Sequence, residues 1–376
     1  MATTPTAGTG AGPAERGPGE APAAGSGPAA VQPGPGDAAA PVEGFAARLG
    51  RLVADLVREP YRSGLAPIVR KELADNLLGS RFVILAGLVF VTTLAGLYVA
   101  AQTIRNNVGT GVFDQFVFLK LFTTGDPQRQ LPSLVSFLAF FTPLVGLALG
   151  FDAINGEESR RTLSRLLAQP IHRDAVINGK FVAGLLTIAL MLAVLALLIS
   201  GLGLRMIGVP PSGEEVGRLL VFFLVTLLYV AFWLSLSILF SVRFRQASTS
   251  ALAGIAVWLF FALFGTLVAD LLADVLVPLG DVVTVERQLR HETVTLWLKR
   301  LSPPFLYSEA VAALLDPEMR HLGLVLITEY IGAVPGSLPL SQSLLLIWPH
   351  VTLLAGATLA IFCISYVLFM RREVRA

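Results

Sequence analysis

Residues 151–180 read FDAINGEESRRTLSRLLAQPIHRDAVINGK, and on either side the chain runs for more than 20 residues without a formal charge. A bilayer core of about 30 Å is crossed by roughly 20 apolar helical residues, so each flank is long enough to span it. The whole chain agrees: 54% of its residues are hydrophobic, only 14% are charged, and the mean hydropathy is +0.71. Those values lie outside the range of a soluble globular domain and describe a membrane protein.

Uncharged runs bounded by charges predict six spans, at about 82–104, 131–151, 181–204, 219–242, 246–269 and 344–370. The last contains His350 as its sole residue titrating near neutral pH, with Pro349 marking a kink or entry point. None of the runs alternates with period two, so they read as helices rather than barrel strands, and the fold class is an all-α polytopic membrane protein. Orientation follows from Lys and Arg. Arg70, Lys71 and Arg81 precede the first span, and Arg160, Arg161, Arg165, Arg173 and Lys180 fill the 151–180 block. Arg243 and Arg245 sit in the fourth turn and Arg371, Arg372 and Arg375 at the end. With six spans all of these fall on one side, which places both termini and the block in the cytoplasm and makes the chain a multi-pass protein of the cytoplasmic membrane.

The remaining segments divide by composition. Residues 1–41 are rich in Ala, Gly and Pro and form a tail that can bury no core. Residues 42–81 hold cytoplasmic and interfacial helices. Within them Leu65, Ile68, Val69, Leu73, Leu77 and Leu78 recur at helical spacing opposite Arg70, Lys71, Asp75 and Asn76. That pattern predicts an amphipathic helix lying in the interface and turning into the first span near Gly79. Residues 82–376 form the six-span domain, with an external region at 277–343. Outside, Phe113, Phe116, Phe118 and Phe122 form an apolar strip that either lies on the outer interface or caps the spans. Residues 281–304 read as a helix ended by Pro303 and Pro304, with a second short helix over 305–315. From Tyr330 to Ser343 the uncharged, Gly- and Pro-broken sequence reads as a re-entrant or outer-leaflet segment. Cys363 reads as a packing residue in the last span.

Most catalytic chemistry lacks its residues. No G-x-x-x-x-G-K-[ST] occurs, and Gly179-Lys180 is followed by Phe181, so the chain has no nucleotide-binding P-loop. The four histidines show no H-E-x-x-H spacing, and no G-x-S-x-G elbow is present. No metal or cofactor site is expected, and nothing in the charge pattern points to nucleic acid. Asp270 and Asp274, at the outer end of the fifth span, mark its interface rather than a proton relay.

The 151–180 block itself has helical order. Asp152, Glu157 and Glu158 come first, and Arg160, Arg161 and Arg165 follow, which suits the helix dipole. A helix from about Asn155 to Gln169 is predicted, with Thr162, Leu163, Leu166 and Leu167 on its apolar side and Pro170 ending it. An amphipathic cytoplasmic helix between two spans is a docking surface.

The order Asp152-x-Ile154-x-Gly156-Glu157, then Thr162-Leu163, Leu166-Leu167, Pro170-Ile171, Arg173 and Gly179-Lys180, resembles the membrane subunits of ABC-2-type transporters. Arg70-Lys71-Glu72-Leu73 is similar to that family's approach to its first span, and Leu301-Ser302-Pro303-Pro304 with Tyr307 is similar to its outer Ser-Pro segment. Within the family the chain looks closest to the branch of the copper-site maturation permease of nitrous oxide reductase and the gliding-motility permeases. The resemblance covers residues 65–376. It implies a permease half that forms a homodimer, or a heterodimer with a related permease, on two copies of a separate ATPase that binds ATP and Mg. It also implies that Asp152 to Lys180, Arg160 among them, couple the two, with Glu157 and Arg173 as polar contacts, Leu163, Leu166 and Leu167 as packing residues, and Lys180 as a headgroup anchor. A substrate path at the dimer interface would be lined by Thr92, Phe137, Phe140, Phe141 and Phe260. A mechanotransmitting subunit acting on an external partner, or a scaffold without an ATPase, are the alternatives.

Overall fold

The computed structural model describes residues 64–106, 116–126, 131–160, 172–278, 284–320, 322 and 337–371. The tail therefore lies outside the described residues, as do Phe113 and the first half, 330–336, of the Tyr330–Ser343 segment. Among the described residues there are helices throughout, and the one extended pairing is an isolated bridge between Asp126 and Leu131.

Gly79, in extended conformation, separates a helix α1 (Leu65–Leu78) from α2 (Ser80–Asn106). There follow α3 (Val117–Thr123), α4 (Leu134–Gly150), the single turn α5 (Asn155–Ser159), α6 (Arg173–Ile207) and α7 (Gly213–Arg243). The fifth apolar segment is α8 (Ala247–Leu259), a π-helical turn at Phe260–Phe264, and α9 (Gly265–Leu276). α10 (Val285–Lys299), α11 (Pro303–Leu315) and α12 (Leu340–Arg371) complete the chain. Six of these segments are long and apolar enough to cross a membrane: α2, α4 running on into α5, α6, α7, α8–α9 and α12.

α7 is the hub. Of its apolar stretch 67% is buried, against 11% for α8–α9, which leaves the fifth segment facing outward. α4 packs against α7 through Gly146 and Gly150. A Cβ on Gly146 would stand 2.8 Å from the Val230 carbonyl oxygen and 3.1 Å from the Leu234 nitrogen, so the two backbones are nearly in contact. Those neighbours are main chain and cannot rotate away. Gly146→Ala is therefore expected to cost roughly 1–3 kcal/mol by overpacking, whereas Gly87→Ala, where a Cβ meets nothing within 4 Å, should be neutral or slightly stabilising. Thermal unfolding of the two variants in detergent, followed by size exclusion, checks the contrast.

The end opposite the α1–α2 elbow is closed by short elements. α3 places Phe118 and Phe122 in the core, with Phe122 edge-on to Phe222 and Phe223 of α7 at 5.5 and 6.4 Å. Of the two roles open to the phenylalanine strip, capping is the one these residues take. A capping box at Ser212 and Glu215 starts α7, and Glu215 also accepts the Phe118 N–H at 3.0 Å. Pro303 and Pro304 open α11, where a missing N–H costs nothing. Tyr307 stacks on Tyr229 of α7 at 4.3 Å and shares a 2.9 Å hydrogen bond with Thr226.

Several helices extend beyond their uncharged runs, among them α6, α8–α9 and α12. α6 begins at Arg173 rather than 181, because α1 packs across its first turns. The fifth segment continues to Leu276, because Asp270 and Asp274 are paired with Lys299 and His291 of α10 at 2.8 and 3.0 Å. α12 begins at Leu340, so residues 340–343 belong to its first turn rather than to a re-entrant segment. Ser343 there is held by Arg218 of α7, and Pro349 lies inside the helix.

Candidate functional site

The end of α4, α5, the start of α6 and the α1–α2 elbow converge around a polar cavity of about 270 Å³. Four local features build it. Gly79 lets α1 fold back across α6. Gly179 leaves room for that crossing, since a Cβ there would lie 2.7 Å from Ile68. Next along α6, the Lys180 side chain is only 7% exposed, and its Nζ lies 2.8 Å from Glu72 of α1 and 3.7 Å from Glu157 of α5. On the other side of the elbow Arg81 pairs with Asp152, and its guanidinium stands 4.9 Å above the Phe151 ring.

The start of α5 is fixed on a third side. Ser241, in the last turn of α7, accepts the N–H groups of Ile154 and Asn155 at 2.9 and 3.2 Å, and the Asn155 amide donates to the Phe244 carbonyl. Asn155 is fully buried. Ser237, one turn earlier, donates to the Leu147 carbonyl at 2.7 Å. The turn out of the second span is thus tied to α7 by backbone bonds and to α1 and α6 through a buried ammonium. Burial pushes the Lys71 ammonium on α1 down, but the summed field of Glu72, Glu157 and Asp75 outweighs it and leaves Lys71 above its ordinary value. On that side Glu72 and Asp75 line the cavity.

Of the sequence-predicted residues, Asp152, Gly156, Glu157, Arg160 and Lys180 meet here with Glu72. Gly156 packs against Asp152, and Arg173 opens α6. Arg70 and Lys71 lie on the exposed side of α1 and Leu73 is half-buried. Thr162, Leu163, Leu166, Leu167 and Pro170 lie outside the described residues. Lys180 is enclosed between carboxylates rather than projecting toward headgroups. Phe137, Phe140 and Phe141 form a ladder on α4 that reaches Trp258 of α8, with Phe140 and Trp258 at 4.8 Å. Phe260 is half-exposed at the π-helical turn, and Thr92 spends its hydroxyl on the Leu88 and Val89 carbonyls of its own helix.

Sequence reading missed Ser241, Asn155 and Arg81 as a set. The available signal was polar Ser237 and Ser241 one turn apart in an otherwise apolar span. It also missed a second polar centre at the opposite end. Arg300 binds Glu309 of α11 in bidentate fashion at 2.9 and 2.8 Å, and His350 of α12 reaches the same carboxylate at 2.7 Å. Burial pushes the Glu309 carboxyl up, but the bonds from His350 and Arg300 prevail and bring it down to about 2. A depressed carboxylate adds stability that is complete above its ordinary range and is lost as pH falls through about 2. The thermal midpoint is therefore expected to fall between roughly pH 4.5 and 2, and a Glu309→Gln variant should show a smaller fall over that window. Among the described residues no group of three or more His, Cys, Asp or Glu side chains is placed to hold a metal ion.

With this geometry the comparisons agree. Residues 66–374 match the model of the ABC-2 family transporter protein. A probable ABC transporter permease protein NosY of Pseudomonas aeruginosa is 30% identical over 315 residues, covering 82% of this chain and 98% of that protein. A second protein of the same description, from Stutzerimonas stutzeri, is 29% identical over 244 residues, covering 64% of this chain and 78% of its own length. The match includes nearly all of α1, all six membrane-length segments and the helices that close the opposite end. The chain therefore belongs to the ABC-2 family of transporter proteins, as a multi-pass permease subunit of an ABC transporter.

Proposed function

We propose that this permease, paired with a second permease chain in the cytoplasmic membrane, couples ATP hydrolysis on two copies of a separate ATPase subunit to translocation of a substrate. ATP and Mg reside on the partner, and this chain supplies the mechanical path. The observation that carries the reading is the anchoring of α5. A push on the segment that follows Ser159 is delivered to α7 through Ser241, to α6 and α1 through Glu157 and Lys180, and to α2 through Asp152 and Arg81. The segments α2, α6 and α7 are thereby tied, with α1, to the one turn that ends α4. The family implies an ATPase partner and a dimeric arrangement, and the outward face of α8–α9 supplies an apolar surface for a second permease.

The same reading assigns the aromatic ladder on α4 and the half-exposed Phe260 to a path for an amphipathic cargo. A second reading, force transmission to an external partner without transport, draws on the outer cap. α10 and α11 are held to α7 and α12 by the Glu309 and Arg218 networks, yet Trp297 and Leu301 remain 65% and 73% exposed.

Affinity purification of the tagged full chain, coexpressed with an ATPase carrying G-x-x-x-x-G-K-[ST], tests the assembly. Two copies of each chain and ATP hydrolysis that requires both are expected. A stable permease that purifies without the ATPase would overturn it.

A further inference from the structure

Two cavities abut along the groove between α2 and α4, and their chemistries differ. The first is the polar cavity of about 270 Å³ described above. The second, about 180 Å³, lies deeper in the apolar zone and is lined by Leu85, Leu144, Leu147, Phe151, Ala251 and Ile255. Its one hydroxyl, Ser237, is already spent on the Leu147 carbonyl. Ala148 lines both cavities, and the Arg81–Phe151 contact forms the boundary, with the guanidinium belonging to the polar chamber and the ring to the apolar one. One turn of α2 carries Arg81 in the polar chamber and Leu85 in the apolar one, so the step from charge to hydrocarbon takes about 6 Å along the helix. That is the profile of one amphiphile standing in a leaflet.

The signs of charge specify its head. Glu72, Asp75 and Asp152 line the polar chamber with Glu157, and Arg81, Arg160 and Lys180 oppose them. A purely anionic head would meet four carboxylates and a purely cationic one three cations. A group carrying both signs can be matched on both. Two open charges of the lining are of opposite sign: the side chains of Arg81 and Asp75 are 56% and 63% exposed. Glu72 and Asp75 put two carboxylates on the α1 wall, which marks it as the side for an ammonium.

We propose that the joined cavities bind a zwitterionic phospholipid with a phosphoethanolamine head, drawn from the leaflet on the α1 side. Its phosphate faces Arg81 and Arg160, its ammonium faces Glu72, Asp75 and Asp152, and one acyl chain lies among Leu85, Leu144, Leu147 and Ile255. The lipid sits between the elbow and the second span, in contact with both ends of the Arg81–Asp152 pair. Nothing in this inference requires the ATPase, so its failure and that of the coupling reading are separable.

The test is native mass spectrometry of the full chain released from nanodiscs of phosphatidylethanolamine and phosphatidylglycerol at 3:1, with phosphatidylglycerol alone as the second composition. One phosphatidylethanolamine retained per chain is expected, with at least tenfold less phosphatidylglycerol retained from the second composition. Ala251→Trp fills the apolar chamber from the outward-facing fifth segment and is expected to reduce retention at least tenfold without lowering the thermal midpoint. Arg81→Gln should reduce it through the head. Millimolar phosphoethanolamine without chains should not displace the lipid. Equal retention of both phospholipids, full retention in Ala251→Trp, or displacement by free phosphoethanolamine would each overturn the proposal, the last by pointing to a soluble ligand instead.

Discussion

Lys180→Met is expected to be among the most damaging single changes in this protein, even though no reacting group is touched. The ammonium is buried between Glu72 and Glu157, whose side chains are 14% and 18% exposed. Removing it leaves two carboxylates close together with their nearest shared counter-charge gone. Breaking a buried pair in this way costs about 3–5 kcal/mol, a fall in the thermal midpoint on the order of 10 °C. Neutralising the nearer carboxylate as well, in Lys180→Met with Glu72→Gln, should recover more than half of the loss, because the penalty comes from unpaired charge rather than lost packing. Detergent-solubilised variants followed by intrinsic fluorescence on heating provide the measurement. A single variant as stable as the parent would mean that the cluster is hydrated and the strut absent.

The second large effect is expected at the opposite end. Arg218 is fully buried and donates to the Leu314 carbonyl at 2.7 Å, to Ser343 at 3.1 Å, to Glu214 at 3.2 and 3.0 Å, and to the Leu338 carbonyl. One guanidinium thus closes α11 and α12 onto α7. Arg218→Met strands two carbonyls and a carboxylate, at a cost of about 3–5 kcal/mol. Arg218→Lys should rescue little, since an ammonium lacks the planar fork that reaches all four groups. Hydrogen exchange locates the damage: α11 and the first turn of α12 should lose protection, while α1 and the start of α6 keep theirs. Uniform loss across the chain would contradict the idea of a separate outer rivet.

The six membrane-length helices were legible because lipid imposes one requirement, an uncharged stretch of sufficient length, and the sequence meets it openly. α1 was legible for a similar reason, since leucines at helical spacing opposite charges survive any tertiary context. Partners were another matter. Lys180 looked like a charge at the end of a span, and only the return of α1 over Gly179 encloses it. Glu309 and His350 lie 41 residues apart, and neither has a neighbour in sequence that marks it. Arg218 borders the uncharged run 219–242 like any flanking charge, yet its guanidinium holds Ser343 in the early start of α12, which hydropathy placed four residues later. The π-helical turn at Phe260–Phe264 has no marker at all, because Phe-Phe-Ala-Leu-Phe suits a straight helix equally well. In the 151–180 block the charge order pointed to a helix starting near Asn155, but its anchor on α7 is a serine that only packing reveals.

That anchor also changes which residue tests the coupling role. Glu157 is engaged with Lys180, so reversing its charge would injure the permease whether or not an ATPase docks there. Leu166, on the predicted apolar face of the same segment, separates the two effects. The decisive measurement is the affinity of the intact Leu166→Asp permease for a coexpressed P-loop ATPase, read by quantitative copurification beside the thermal midpoint of the permease alone. The coupling account predicts at least a tenfold loss of bound ATPase with an unchanged midpoint. ATPase bound at the parental level, on a correctly folded variant, would contradict it.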